Sequence, residues 1–284
     1  MKHMKTGLVL EGGAMRGIYT SGVLDVFLDC GIRFDGVIGV SAGAIHGATY
    51  VAEQNGRNIR YYKNYRRDRH FMSIYSLVTT GDVVGRDFCY REIPDRLDPF
   101  DYETFKSSPT DFYVVCTDVE KGTPVYVLIS DLRPQMEYLR ASASMPLVTK
   151  IVEAGGRKLL DGGITDSIPL RAAQKLGYDK IVVGETREEG YVKSAEGSII
   201  TDRFYRNYPR FAHAMRMRHI MYNEQKRYVA ELEKSGEIQV IRPSRYVDIG
   251  RMERSVEKIE EMYRLGRYDA ENKMRDIEKF VSGE

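Results

Sequence analysis

Three observations assign this 284-residue chain to the α/β class, as a three-layer α/β/α sandwich on a mostly parallel sheet. Short segments of apolar and glycine residues, such as Gly7-Leu8-Val9-Leu10 and Gly36–Val40, read as strands buried on both faces. They alternate with segments of helical character, the pattern of a sheet covered on both sides. The first two strands are each followed at once by a turn of small residues that opens a helix.

In chain order, Thr6 to Leu10 is the first strand, and a glycine-rich turn leads to a helix from about Gly17 to Cys30, stopped by Gly31. Gly36 to Val40 is the second strand, and the helix after Ser41 runs to about Gln54. Residues 57–110 read as helical and irregular, broken by Pro94, Pro99 and Pro109, with 66–110 a place for a lid. Phe112 to Thr117 is a third strand, with Val125 to Ile129 its hairpin partner across Lys121-Gly122. Lys158 to Leu160 is a short strand ending in Asp161-Gly162-Gly163. Pro169 to Leu176 is a helix closed by Gly177, and Lys180 to Gly184 a further buried strand. Residues 203–234 and 251–281 are long helical stretches around a strand, Ile238 to Ile241. The expected organisation is a catalytic core over 6–190 and a helical extension over 191–284 packed on it within the same domain.

Composition narrows the function classes. With 42% hydrophobic and 30% charged residues, the chain matches an ordinary globular protein. The formal net charge of +2 makes no case for nucleic acid. Three scattered cysteines, Cys30, Cys89 and Cys116, show neither a disulfide framework nor zinc spacing, which favours a reducing compartment and a cytoplasmic location. No apolar run approaches the roughly 20 residues that span a bilayer. Met1 to His3 reads as a leader ahead of Met4 rather than a signal peptide.

The chemistry rests on three elements. Gly39-Val40-Ser41-Ala42-Gly43 joins a strand to a helix, the setting in which G-x-S-x-G places a nucleophilic serine on a sharp turn. Glu11-Gly12-Gly13-Ala14-Met15-Arg16-Gly17 follows the first strand and opens a helix, so its uncovered N–H groups suit an oxyanion. Asp161-Gly162-Gly163 follows a strand and presents a carboxylate, expected at the carboxyl ends where ligands gather in open α/β sheets.

Together these residues resemble the patatin-like phospholipase family, whose G-G-G-x-[RK]-G, G-x-S-x-G and D-G-[GA] motifs occur in this order. Arg140-Ala141-Ser142-Ala143-Ser144-Met145-Pro146 is similar to the family's segment before the aspartate. The similarity spans roughly residues 6–185; Ala14 stands where the family has a third glycine. The resemblance implies a Ser41–Asp161 dyad without histidine and an acyl-enzyme on Ser41. The oxyanion would sit on the loop of Gly12, Gly13, Ala14 and Met15, with Arg16, Gly17, Gly39, Gly43, Gly162 and Gly163 supporting the motifs. It implies no cofactor and no metal, a lipid or acyl-ester substrate and peripheral membrane contact, and it leaves oligomeric state open. A free aspartate, with a pKa of about 3.9, is a weak base at neutral pH. Asp161 is therefore expected to be buried, next to Ser41, and without an Arg or Lys ion pair.

Other readings compete. A dinucleotide loop needs an acid at the end of the second strand, and Asp35 precedes it. A Ser–His–Asp triad would need His213 or His219, which lie in an arginine-rich helical run. His3 and His70 have no such context, and His46 is one turn beyond Ser41, as support for the turn or neutral packing. The basic, aromatic runs Arg57–Arg69 and Arg203–Arg218 read as solvated helix faces or as surfaces for anionic headgroups. Met215, Met217 and Met221 read as core filling or as an acyl-chain lining. A small-ester carboxylesterase or thioesterase, and a binding module that has lost turnover, are the rival functions.

Overall fold

The computed structural model describes residues 4–195 and 199–283; the leader expected over Met1–His3, and His3 itself, lie outside them. The eight strands are β1 (Thr6–Leu10), β2 (Gly36–Val40), β3 (Asp111–Asp118), β4 (Thr123–Leu128), β5 (Val152–Ala154), β6 (Arg157–Asp161), β7 (Lys180–Gly184) and β8 (Ile238–Ile241). They form one sheet in the order β5-β6-β3-β2-β1-β7-β8, with β4 also paired to β3. The run β3-β2-β1-β7-β8 is parallel, while β4, β5 and β6 join by antiparallel pairings.

Strand alternation sorts the core into two layers. Leu8, Leu10, Val37 and Val182 face one side, under α1 (Ile18–Asp29), α2 (Ala42–Val51) and α10 (Val256–Ser282). Val9, Ile38, Val40 and Val183 face the other, under α7 (Leu170–Lys175) and α9 (Pro209–Lys234). The result is the three-layer α/β/α arrangement. The segment beyond residue 190 supplies β8, α9 and α10, hence an edge strand and a helix on each face. α10 packs on α1 as closely as backbone allows: a Cβ on Gly266 would lie 2.0 Å from the Tyr19 carbonyl oxygen, and one on Gly22 would lie 2.2 Å from that of Tyr263.

Several expectations need correction. The helix expected over 203–234 is two, α8 (Ile199–Phe204) and α9, because Pro209 starts a new helix at its first turn. The last helix begins at Val256, capped by Ser255, rather than at 251. Residues 57–110 contain α3 (Arg57–Tyr65), α4 (Ile74–Thr80), a π-helical stretch over Phe88–Leu97 that includes Pro94, and α5 (Tyr102–Ser107). α6 (Leu132–Ser142) and β5 carry weak periodicity and had no sequence expectation.

One irregularity positions the site. β2 pairs with β3 from Asp111 to Val115, and β4 holds the opposite edge of β3 from Tyr113 to Asp118. β6 pairs with Cys116 to Asp118, so it continues on the edge that β2 vacates. Val40 is opposite Val115 and Asp161 opposite Cys116. The two strands thus meet end to end. Asp161 stands beside the turn that follows Val40, although β6 arrives antiparallel rather than as one more parallel strand.

Candidate active site

Ser41 sits between β2 and α2 with φ 54° and ψ −121°, a conformation that L-residues rarely adopt. The crossing of strand and helix explains its small neighbours. A Cβ on Gly39 would lie 2.5 Å from the Ala44 Cα, and one on Gly43 would lie 2.6 Å from the Leu10 carbonyl oxygen. The Ser41 N–H donates to Ser142 Oγ at 2.8 Å, and that hydroxyl donates to the Val115 carbonyl at 2.6 Å. Ser142 thereby ties the turn to β3, a role that its place in the Arg140–Pro146 segment did not reveal.

Asp161 is 7% exposed. Gly163 N–H donates to its Oδ1 at 2.8 Å, and its own N–H donates to the Ser144 carbonyl at 2.9 Å. Burial raises its pKa above the ordinary aspartate value. The Arg218 charge, a hydrogen bond with the Ser41 side chain, the Gly163 N–H and the Arg251 charge pull the other way. Asp161 is thus buried and hydrogen-bonded with Ser41, while two cations act on it through their charge. Arg218 and Arg251 act on the carboxyl from α9 and from the loop before α10, and Arg218 Nε donates to the Gly163 carbonyl at 2.7 Å. Neither cation has a local sequence signal linking it to Asp161.

The glycine-rich loop runs directly past the serine: a Cβ on Gly12 would stand 3.1 Å from Ser41 Cβ. Among the described residues, the backbone N–H groups of Gly12, Gly13 and Ala14 donate to no protein acceptor. Met15 turns its side chain into the core, and Gly17 abuts α2, where an added Cβ would lie 2.6 Å from that of Ala42. Ala14 has φ 47°, so alanine holds the left-handed geometry where the motif has glycine. Glu11 anchors the loop, accepting from Tyr222 OH at 2.7 Å and Thr186 N–H at 2.5 Å. Arg16 is next along, its pKa lowered by burial and by the Arg187 charge. A Cβ on Gly162 would lie 2.2 Å from the Val115 carbonyl oxygen, which explains the small residue after Asp161.

His46 is fully buried beside Gly17, and burial drives its pKa to about 4. It is a neutral packing residue. His70 pairs with Asp68, and His219 meets the Arg216 carbonyl through Nδ1. Among the described residues, no histidine lines either cavity that reaches Ser41, and no group of acids, histidines and cysteines is placed to hold a metal.

A model of the patatin-like phospholipase family matches residues 8–173, more than half of the chain. The chain belongs to that family. A second model, a domain of unknown function (DUF6363), matches residues 208–282 of this patatin-like chain. The uncharacterized protein YjjU of Escherichia coli (strain K12) is 30% identical over 187 residues, 64% of this chain and 52% of that one. Lysophospholipase nte1 of Aspergillus oryzae is 28% identical over 207 residues, 67% of this chain and 13% of that one. The uncharacterized NTE family protein Rv1063c of Mycobacterium tuberculosis is 23% identical, over 70% of this chain and 54% of that one. The chain thus spans about half the length of the two bacterial relatives and a small part of the fungal one. VipD from Legionella pneumophila, at 14% identity and TM-score 0.46, covers 96% of this chain and 67% of that structure, a likeness too loose to argue from.

Two cavities meet at Ser41 of this patatin-like protein. One is an apolar tunnel walled by Ile45, Ala48, Tyr62, Phe71, Ile93 and Met136 among others. The other is lined by the glycine loop, Asp161 and cations from the C-terminal segment. The run Arg57–Arg69 is a solvated face only in part: Arg60, Lys63, Arg67 and Arg69 are exposed. Arg57, Tyr61, Tyr62 and Arg66 are buried. Arg57 meets Asp98 at 3.5 Å, and Arg66 donates to the Met252 carbonyl at 2.7 Å and the Met72 carbonyl at 3.0 Å. Within the segment assigned as a lid, Cys89, Tyr90, Ile93 and Pro94 form tunnel wall. Met215 lines the second cavity, and Met217 is exposed.

Proposed function

We propose that this chain is a serine lipid acyl hydrolase, cleaving carboxylic ester bonds of phospholipids or related acyl esters through a Ser41–Asp161 dyad. The observation that carries the reading is a strained, buried serine beside a buried carboxyl, at the mouth of an apolar tunnel. Ser41 Oγ attacks the ester carbonyl carbon as Asp161 takes its proton. The oxyanion falls to the N–H groups of the loop from Gly12 to Met15. Collapse breaks the bond to the alkoxide, which leaves with the proton from Asp161. Water then attacks the acyl-enzyme, gives its proton to Asp161, and releases the acid and a regenerated serine. The raised pKa of Asp161 brings its basicity closer to neutral pH.

The acyl chain occupies the tunnel, whose apolar walls suit a hydrocarbon tail. Met72 and Val84, paired at the base of α4, line that tunnel, while Ile74 and Val78 on α4 are 73% and 79% exposed. Arg69 stacks over Tyr75 at 4.6 Å beside them. Apolar side chains with an adjoining cation suit peripheral contact with a membrane surface. No helix among the described residues is long and apolar enough to cross a membrane. Three free cysteines suit a cytoplasmic setting.

The test is hydrolysis of matched acyl esters by wild type, Ser41→Ala, Asp161→Asn and His46→Ala, with fluorophosphonate labelling of Ser41. The first two variants lose at least ~10³-fold in turnover, and His46→Ala keeps most of it. An unlabelled Ser41, or a histidine that proves indispensable, overturns the dyad.

A further inference from the structure

The tunnel that starts at Ser41 is largely apolar, yet its remote end carries a charge. Among the described residues its lining includes one cation, Arg57, and no acid. Two helices give its extent. Ser41 opens α2, and Ala42, Ile45, Ala48 and Thr49 line the wall in turn, so Thr49 lies about 12 Å along that helix from Ser41. Ser142, whose hydroxyl holds the Ser41 N–H, ends α6, and Leu132 lines the wall about 15 Å back along α6. Arg57 stands at this far end. Asn58, next to it in the chain, accepts from Thr49 Oγ1 at 3.0 Å. Its guanidinium lies against Phe100, which packs on Tyr102, and Tyr102 lies under Arg133, the neighbour of Leu132. We propose that the tunnel takes acyl chains whose far end is a carboxylate, and that Arg57 receives that group about ten bonds from the ester, an extended chain advancing about 1.2 Å per bond.

The proposal rests on the acyl-hydrolase reading and names the acyl half of its substrate. Arg57 is 5% exposed, and burial disfavours its charge. A buried guanidinium needs acceptors for its N–H groups and an anion for its charge, and Arg57 is short of both. Its buried Nε has no hydrogen-bond acceptor among the described residues. Its Nη2 donates to the Asp98 backbone carbonyl at 2.7 Å. The Asp98 carboxylate is held mainly by Arg60, whose Nε reaches Oδ2 at 2.7 Å and whose Nη2 reaches Oδ1 at 2.9 Å, while Arg57 Nε stands 3.5 Å from Oδ1. One acid thus serves two guanidinium groups. The rings of Tyr61 and Phe100 lie with their centres 5.5 and 5.3 Å from the Arg57 guanidinium. Such contacts favour a cation but accept no in-plane hydrogen bond.

A methyl-ended chain of this length would seal Arg57 from water and leave it without a further partner. A terminal carboxylate supplies two acceptors in the plane that guanidinium donors favour, together with the negative charge that Arg57 now shares with Arg60. A shorter dicarboxylic chain would leave its carboxylate against apolar wall between Ser41 and Arg57, where burying it is costly. Terminal charge and chain length are therefore selected together, and neither depends on the alcohol half of the ester.

The probes are the p-nitrophenyl monoesters of hexanedioic and decanedioic acid, each matched with the methyl-ended ester of equal carbon number and kept below its aggregation limit. The quantity read is the ratio of kcat/KM for the carboxylate ester to that for the methyl ester at each length. In wild type the ratio for the decanedioyl pair is expected to be one or above, and about tenfold or more higher than for the hexanedioyl pair. Arg57→Gln lowers the decanedioyl ratio by about tenfold or more. Both esters report on the same folded molecules, so a partial loss of fold cancels from the ratio. A wild-type decanedioyl ratio below one, or no higher than the hexanedioyl ratio, overturns the proposal without needing any variant to fold. So does a decanedioyl ratio that Arg57→Gln leaves unchanged. Failure of the parent reading is distinct: no ester of either kind is cleaved and fluorophosphonate does not label Ser41.

Discussion

Replacing Arg218 by Met should move the acid limb of the pH–rate profile upward. The general base must be ionised to take the Ser41 proton, so the acid limb of kcat/KM reports its pKa in the free enzyme. Arg218 is the largest of the influences that oppose burial at Asp161. An added Cβ on Gly163 would lie 3.1 Å from Asp161 Oδ1 and 3.6 Å from the Arg218 guanidinium. The two charges therefore lie within about 7 Å, and at an effective dielectric near 20 their attraction is about 2 kcal/mol. Arg218 is half-exposed, and water screens part of that. The expected rise is on the order of one pKa unit, since each unit corresponds to about 1.4 kcal/mol. The assay is kcat/KM for a soluble acyl ester from pH 4 to 9. The sign is fixed: loss of a cation disfavours the carboxylate, so the limb moves to higher pH. Arg218→Lys separates charge from position. It keeps the cation but not the Nε bond to the Gly163 carbonyl, so its limb stays near wild type while kcat falls. A limb that stays put in Arg218→Met, or moves down, refutes the assignment of Asp161 as the base.

Three further outcomes follow from local geometry. Ala14→Gly relieves a left-handed alanine at φ 47°; after the larger entropy of unfolded glycine it should gain about 0.5–1 kcal/mol in denaturant unfolding, and a loss of stability would contradict the strain. His46 titrates near pH 4 when folded and near 6.5 when unfolded. Its share of stability is present above 6.5 and falls by about 3 kcal/mol as pH drops to 4, a dependence that His46→Leu should lack in unfolding titrations. Ala48→Leu narrows the tunnel. It should shift selectivity toward short acyl chains by about tenfold across a p-nitrophenyl ester series, at about 1–3 kcal/mol in stability from overpacking; an unchanged series would remove the tunnel from acyl binding.

The legible parts of the site are those set by neighbours in sequence. Gly39 and Gly43 must be small because α2 crosses β2 and the end of β1 within a few residues of Ser41, and G-x-S-x-G records that crossing. The glycine loop is equally local. Glu11, Ser142, Arg218 and Arg251 were not legible in their roles, because each acts on a residue far from it in the chain. The burial of Arg57 and Arg66 within the basic run Arg57–Arg69 was not legible for a related reason. Their guanidinium groups find Asp98 and the carbonyls of Met72 and Met252, partners that a charge pattern along one helix does not contain.

The amino-acid order alone determined the alternation of buried strands with helices, the turn that raises Ser41 and the loop that faces it, because these depend on backbone conformation over a few residues. Tertiary structure decided that Asp161 meets Ser41: β6 runs against β2 and takes over the same edge of β3 one residue beyond Val115. It also decided that cations from the C-terminal segment crowd that carboxyl, since a charge acts through space on whatever the fold brings near.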